Sequence, residues 1–256
     1  MPEWDDTALI LSVRPHGESS SIVNLMTRHH GRHAGLVRGG QSRSQRGVLQ
    51  PGNEVEASWR ARLAEHLGSV TVEISRPNAS AVLDQPICLA GLASACAVLE
   101  GCLPEREPHP GVFDATTALF GLVTSEADAE IWLAAYIRWE IAMLDVAGYA
   151  LDLGRCGVTG EREGLAYVSP RTGVAVTSHA AGLHKPKLLA LPRFLGGMPG
   201  DGDDHALAQD LLDGMRLTRH FLERKVFGLH HLPLPAPRQR LDDLVQRRFA
   251  PSSDTT

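Results

Sequence analysis

The chain has 256 residues, 43% of them apolar, which supports one large core or two modest ones. Its formal charge is -5, so it does not have the bulk charge of a nucleic-acid binder, and any such surface must be local to one face. No window approaches ~18 uninterrupted apolar residues and MPEWDDTALILSV carries no basic leader, so neither a membrane span nor a signal peptide is expected, and the expected location is the cytoplasm. Residues 7–76 read as strands. Leu9, Leu11 and Val13 alternate with Ile10 and Ser12; Ile22 to Met26 forms a second run; Leu36 and Val37 sit in a short third. Val55, Ala57 and Trp59 alternate with Glu54, Glu56 and Ser58, and Val70, Val72 and Ile74 with Thr71, Glu73 and Ser75. Five short strands with period-two patterning suggest a small closed barrel, since closure removes exposed edges. A five-stranded Greek-key barrel of this size fits the oligonucleotide-binding (OB) fold; another small barrel or sandwich fits the strand count equally well.

Between the second and fourth strands lies an acid-free arc, Arg28 to Leu49, carrying Arg28, Arg32, Arg38, Arg43 and Arg46. Glycines at 31, 35, 39, 40 and 47 make it read as turns and a mobile loop. Guanidinium forks suit phosphates, because they stay charged and donate two parallel hydrogen bonds. Because the chain has 22 arginines against three lysines, clustering is the better signal than abundance. The five arginines are therefore the expected DNA-binding set. Trp4 and Trp59 are the only tryptophans of this region, so stacking, worth ~1–3 kcal/mol per base, is expected to contribute less than phosphate contacts.

Pro77 and Pro86 bracket a change to helical period. Leu89, Leu92, Cys96, Leu99 and Leu103 share a helix face that Pro104 ends; Val112, Thr116, Leu119 and Val123 mark a second helix. Residues 127–147 are apolar nearly all round, as in a central buried helix, with Gly148 at its cap. Residues 149–182 lose the pattern and read as a hairpin insert. Helices resume near Pro186 to Leu195 and Asp204 to Val226, separated by an exposed loop, GGMPGDGDD, and the tail after Pro233 is expected to fray. The expected organisation is α+β: a barrel domain over 1–80, a helical domain over 81–240 with an insert at about 149–182, and a flexible tail over 241–256.

Cys156, Thr159, Thr177 and Ala180 fall at the spacing of a C-x2-C-x17-C-x2-C zinc ribbon. One thiol of four cannot hold a structural zinc, so no cofactor is expected and a metal-free insert is the simpler reading. Cys88, Cys96 and Cys102 read as buried thiols of a reducing compartment. His29, His30 and His33, flanked by Arg28 and Arg32, suit a solvated, phosphate-facing surface better than a metal site. No nucleophile, Walker or dinucleotide signature occurs, so no enzymatic activity is expected. A second basic strip, Arg216 and Arg219 beside Leu217 and Phe221, reads either as a solvated helix face or as a seat for phosphate or an acidic, apolar peptide.

Four segments, in order, carry a resemblance: Arg14 to Glu18 with Thr27, His30 and Gly31; Arg38-Gly39-Gly40 with Arg43-Ser44 and Leu49 to Gly52; Leu151 to Gly160 with Tyr167 to Pro170 and Gly173; and Leu217 to Leu229, running into LHHLPLP. On these the chain resembles the bacterial recombination mediator family RecO. The resemblance implies an N-terminal OB domain and a helical domain with an inserted zinc-ribbon-like hairpin. It implies binding of single- and double-stranded DNA, annealing of complementary strands, and help in loading RecA onto strands coated by single-strand-binding protein. It implies RecR and the C-terminal tail of single-strand-binding protein as partners, and a nucleoid-associated location. Many family members keep four ribbon cysteines; with Cys156 alone remaining, zinc is not carried over. An RNA-binding OB protein, an interaction scaffold acting through its helical domain, and a hydrolase remain as alternative readings.

Overall fold

The computed structural model describes residues 2–63, 65–198 and 207–250. Compactness divides the chain into two units, Met1–Glu126 and Ala127–Thr256. The barrel boundary expected near residue 80 lies inside the first unit, because three helices that follow the barrel belong to it.

The first unit opens with β1 (Glu3–His16), β2 (Ser20–Thr27), β3 (Gly31–Val37), β4 (Glu54–Arg60) and β5 (Ser69–Arg76), closed in the order β1-β2-β3-β5-β4. All neighbours are antiparallel except β3 and β5, which meet in parallel at Leu36 and Ser69. Ala8, Ile10, Val23, Leu25, Val55, Ala57, Trp59, Val70 and Val72 fill the interior. A bulge between Ile10 and Ser12 shifts the parity of β1, so Val13 rather than Ser12 packs on the interior. Leu9 and Leu11 have the opposite parity to Ala8 and Ile10 and are buried as well, where α3 (Pro86–Cys102) packs across β1. Glu100 of α3 accepts hydrogen bonds from Asn24 Nδ2 at 2.7 Å and Ser12 Oγ at 3.0 Å, which ties the helix to the sheet. α2 (Asn78–Ala81) and α4 (Pro110–Val123) complete the unit's helices after the barrel.

β3 is longer than its two apolar residues suggest. Gly35 stands where an added Cβ would lie 2.9 Å from Val70 Cγ1, so closure at the β3–β5 seam needs glycine there. The expected mobile loop is partly helical: α1 (Arg43–Val48) starts at Ser42, whose hydroxyl accepts from Gln45 N, and Leu49 is buried in the barrel interior.

The second unit contains α5 (Ala129–Val146), a four-stranded sheet, α6 (Ser178–Ala181), α7 (Leu207–Phe221) with a following π-helical turn, and α8 (Ala236–Phe249). The sheet comprises β6 (Asp152–Cys156), β7 (Leu165–Val168), β8 (Val174–Thr177) and β9 (Leu189–Ala190), in the order β6-β8-β7-β9. The insert therefore runs past residue 182. The helix expected over Pro186 to Leu195 is instead β9 between two 3-10 turns, since Pro186 and Pro192 interrupt helical hydrogen bonding and Leu189 pairs with Val168. Residues 199–206, with most of the expected GGMPGDGDD loop, lie outside the described residues.

The tail expected over 241–256 is helical as far as Phe249, with Leu241 and Val245 fully buried; residues 251–256 lie outside the described residues. An ion pair holds it. Arg238 Nε donates to Glu140 Oε1 at 2.6 Å, both side chains are wholly buried, and Arg238 Nη1 pairs with Asp242. Tyr136 Oη and Thr218 Oγ1 also donate to Glu140. Burial alone would lower the guanidinium pKa, but Glu140 and Asp242 more than offset it and keep Arg238 charged. Burial moves Asp242 the other way, raising its carboxyl above the usual range despite Arg238.

Candidate nucleic-acid interface

The five arginines of the acid-free arc do not form one surface. Arg28 pairs with Asp114 at 3.0 Å, and Arg32 donates to the Leu103 carbonyl at 3.1 Å and faces Glu105 at 3.5 Å. These two fasten the β2–β3 turn to the helical part of their own unit, and Arg32 is largely buried. They are withdrawn from the expected phosphate-binding set by their carboxylate partners. Arg38, Arg43 and Arg46 follow at the other end of β3, roughly 20 Å away at ~3.3 Å per residue. All three are exposed, and none has a carboxylate partner among the described residues; Arg46 Nε donates to the Gln41 carbonyl at 3.2 Å. The same end carries the β1–β2 turn, held by Gln41 Nε2 donating to the Gly17 and Ser20 carbonyls.

At the β3–β5 seam a groove of about 460 Å³ is lined by Arg38, Arg60, Gln45 and Thr71 over Val37, Val70 and Val72. Gln45 Oε1 is buried there without a hydrogen-bond partner. Arg60 is a cation that sequence reasoning missed, because in β4 it reads as an outward residue of an acidic strand; only the register Arg60↔Ser69 places it beside Arg38's groove.

Of the three histidines His33 is buried, His30 is half-buried and His29 is exposed, so the expected solvated face is kept only at His29 and the edge of His30. Asp6, nearly wholly buried, accepts from the His29 backbone N–H at 2.7 Å and lies 2.9 Å from His29 Nδ1 and 3.0 Å from His30 Nδ1. Burial raises its carboxyl, but these donors outweigh it and hold the pKa below its usual value. His30 stacks on Trp4 at 4.6 Å, and Trp4 stacks on Trp59 at 5.6 Å, with His33 edge-on to both tryptophans. Burial and the nearby Arg106 push the His33 pKa down. Trp59 Nε1 donates to the Ala34 and Leu67 carbonyls, and an added Cβ on Gly68 would lie 2.4 Å from the Trp59 ring. Trp59 is thus spent inside the barrel wall, and only the outer edge of this column reaches solvent.

The strip on α7 is also used up. Leu217 and Phe221 are fully buried and offer no apolar surface to a peptide, which corrects that half of the expectation. Arg216 pairs with Asp213 at 3.2 Å, and Arg219 pairs with Glu223 at 2.8 Å and Asp242 at 3.4 Å.

In the four-stranded sheet, the Thr177 backbone N–H donates to Cys156 Sγ at 3.4 Å, the Thr177 hydroxyl lies 3.7 Å from the sulfur, and Ala180 N donates to that hydroxyl at 3.4 Å. Burial raises the thiol, but donors from Thr159, Thr177 and Val158 hold it down, to about 6. The single Thr159 proton is contested by Glu161 Oε2 at 2.7 Å, so the backbone N–H groups carry this lowering. One sulfur among two threonines and an alanine does not fit a structural zinc. Among the described residues no three His, Cys, Asp or Glu side chains are placed to hold a metal ion. No helix among them is long and apolar enough to cross a membrane.

An OB-type barrel with a cluster of unpaired arginines at one end, followed by a helical region, is the architecture of a nucleic-acid-handling protein. The family model for the Recombination protein O N terminal matches residues 1–78, and that for the Recombination protein O C terminal matches residues 84–233. The DNA repair protein RecO of Rhodospirillum centenum is 48% identical over 255 residues, covering 99% of this chain and 98% of that protein. Those of Gluconacetobacter diazotrophicus and Rhodospirillum rubrum are 48% identical over 246 residues and 45% over 249. The former alignment covers 95% of each chain, and the latter 96% of this chain and 98% of its relative. The chain belongs to the RecO family.

Proposed function

We propose that this chain acts in DNA repair and homologous recombination as a non-catalytic mediator. It binds single- and double-stranded DNA through Arg38, Arg43 and Arg46, with Arg60 extending the path along the β3–β5 groove. The observation that carries this reading is the set of three exposed arginines, free of carboxylate partners, at one end of an OB-type barrel. Phosphates are common to both forms of DNA, so cations that neutralise them and release counterions give sequence-independent affinity. Two complementary strands repel each other until that charge is screened, and a cationic rim therefore favours annealing. Trp59 is buried and Trp4 half-buried against it, which leaves little ring surface for bases and suits a protein that handles both forms.

In this reading the protein assists loading of RecA onto strands coated by single-strand-binding protein, with RecR and the C-terminal tail of that protein as partners, in the cytoplasm at the nucleoid. It needs no cofactor; the sheet of β6 to β9 folds around Cys156 without zinc. The test is strand annealing of complementary oligonucleotides, with and without cognate single-strand-binding protein. Annealing well above the spontaneous rate, retained on coated strands and reduced in R38A/R43A/R46A, is expected. Annealing at the spontaneous rate by folded protein would remove the proposal.

A further inference from the structure

A second cationic region lies in the other unit. Between Glu163 and Asp201 the sequence holds no carboxylate, while two of the chain's three lysines, Lys185 and Lys187, fall within it. Arg193 of this run is paired with Asp210, and Lys185 lies over the Tyr167 ring. Arg171, His184 and Lys187 are exposed and have no carboxylate partner among the described residues. They line a pocket of about 660 Å³ whose floor is aliphatic, formed by Val174, Val176, Ala181 and Leu188. β8 holds the nearest acids apart from it: Val174 and Val176 face the pocket, while Thr177, of opposite parity, lines a separate cleft with Glu161 and Glu163.

The turn that carries His184 and Lys187 stands out from the sheet. Gly182 ends α6 at φ 45° and ψ -131°, a region open to glycine, and an added Cβ there would meet nothing within 4 Å. Glycine is therefore needed for the shape of the turn and not for close packing. The 3-10 turn that follows, Gly182–Lys187, holds six exposed residues in a row and is stiffened by Pro186. Within it Leu183 is 98% exposed, and Val158, on the edge of the pocket, is 71% exposed. A leucine with nearly its whole side chain in water protrudes from the surface, beside cations and an apolar hollow.

We propose that this face rests on an anionic lipid bilayer. Leu183 and Val158 enter the boundary between headgroups and acyl chains, while Arg171 and Lys187, with His184 as a further donor, meet lipid phosphates. Two observations choose the bilayer. Cations without acids select an anionic surface. A protruding aliphatic side chain selects a soft apolar phase that closes around it, which nucleic acid does not supply, and the pocket holds no Trp, Tyr or Phe on which a base could stack. The contact is peripheral and reversible, since few charges and two short side chains carry it, and it needs no membrane-spanning helix. It uses none of Arg38, Arg43, Arg46 and Arg60, so it stands independently of the proposed function.

The experiment is co-sedimentation of the full chain with phosphatidylcholine vesicles holding about one-third phosphatidylglycerol, against vesicles of phosphatidylcholine alone. Binding to the anionic vesicles and not to the neutral ones is expected, and soluble glycerol phosphate should not release the protein. R171E/K187E, L183S/V158S and R38A/R43A/R46A are run beside the wild type, and a dT oligonucleotide is titrated on the same preparations. The side chains changed in the first two are exposed, so their thermal melts should match the wild type. L183S/V158S also leaves every charge in place, which separates insertion from charge attraction. Each of these two should lower the vesicle partition coefficient at least tenfold, about 1.4 kcal/mol, while oligonucleotide affinity stays within about twofold. R38A/R43A/R46A should do the reverse. No sedimentation with anionic vesicles, equal sedimentation with neutral ones, release by glycerol phosphate, or wild-type partitioning by either surface variant would overturn the proposal. So would a loss in R38A/R43A/R46A as large as that in the surface variants, since the vesicles would then be held by the arginines of the barrel. A matching loss of oligonucleotide affinity in R171E/K187E would also overturn it, because the rim would then be part of a DNA path. Vesicle binding that persists in protein that binds no oligonucleotide would support this proposal and sink the DNA reading.

Discussion

The β3–α1 segment of the first unit and the α7–α8 region of the second are both rich in arginine, and they use it in opposite ways. Arg38, Arg43 and Arg46 are exposed without a carboxylate partner, whereas Arg216, Arg219 and Arg238 each meet an aspartate or glutamate. In the first case the positive charge is available to a ligand. In the second, the charge of these three is neutralised within the unit and Arg238 ties α5, α7 and α8 together, while Arg224, Arg240, Arg247 and Arg248 stay exposed without a carboxylate partner among the described residues. Arginine count separates nothing in a chain with this composition; the position of the nearest carboxylate does.

The largest effect should come from breaking the buried pair. Replacing Arg238 or Glu140 by alanine leaves the other charge buried and unpaired, and should lower stability by about 3–5 kcal/mol. Chemical denaturation of each variant measures it; a loss no larger than that of an exposed substitution would show that the pair does not hold α8. R238A should lower stability without touching the slope of DNA affinity against salt in protein that remains folded, which sharpens the contrast with Arg38.

Next in size is Asp6. Its carboxyl is lowered in the folded state, so its contribution is present above the unfolded carboxylate pKa near 3.8 and is lost as pH falls through the folded value. Asp6→Asn should cost about 1–3 kcal/mol at neutral pH and flatten the acid limb of a stability-against-pH curve. An unchanged acid limb would show that the His29 and His30 clamp on Asp6 does not contribute. Smaller still, Arg28→Ala should cost at most about 1 kcal/mol, because its partner Asp114 is half exposed; a substantial loss of DNA affinity in this variant would return Arg28 to the binding set. Chelator treatment should leave the melting temperature unchanged, and a lowered value would return a metal to the sheet around Cys156.

The barrel was legible because period-two alternation is local, and Val55, Ala57, Trp59, Val70 and Val72 all face inward as their spacing implies. β3 was not, since Gly31, His33, Ala34 and Gly35 are weak strand formers held in place by β2 and the seam with β5. α8 was hidden for a related reason: its sequence is mostly polar, and Arg238 meets its partner Glu140 98 residues upstream. The arginine cluster could be read as composition, but the loss of Arg28 and Arg32 to Asp114 and Glu105 could not, because both acids lie far along the chain. For the same reason the exposure of Leu217 and Phe221 could not be judged from the period of α7 alone.

The contrast between free and matched arginines is tested most directly by the salt dependence of DNA affinity in two double variants of equal charge change, R38A/R43A and R216A/R219A. The account predicts that the first weakens single- and double-strand binding together, and that its slope of log affinity against log salt falls by roughly one unit per lost contact. The second should keep the wild-type slope. Equal slopes for both variants, or a loss confined to the α7 variant, would contradict it.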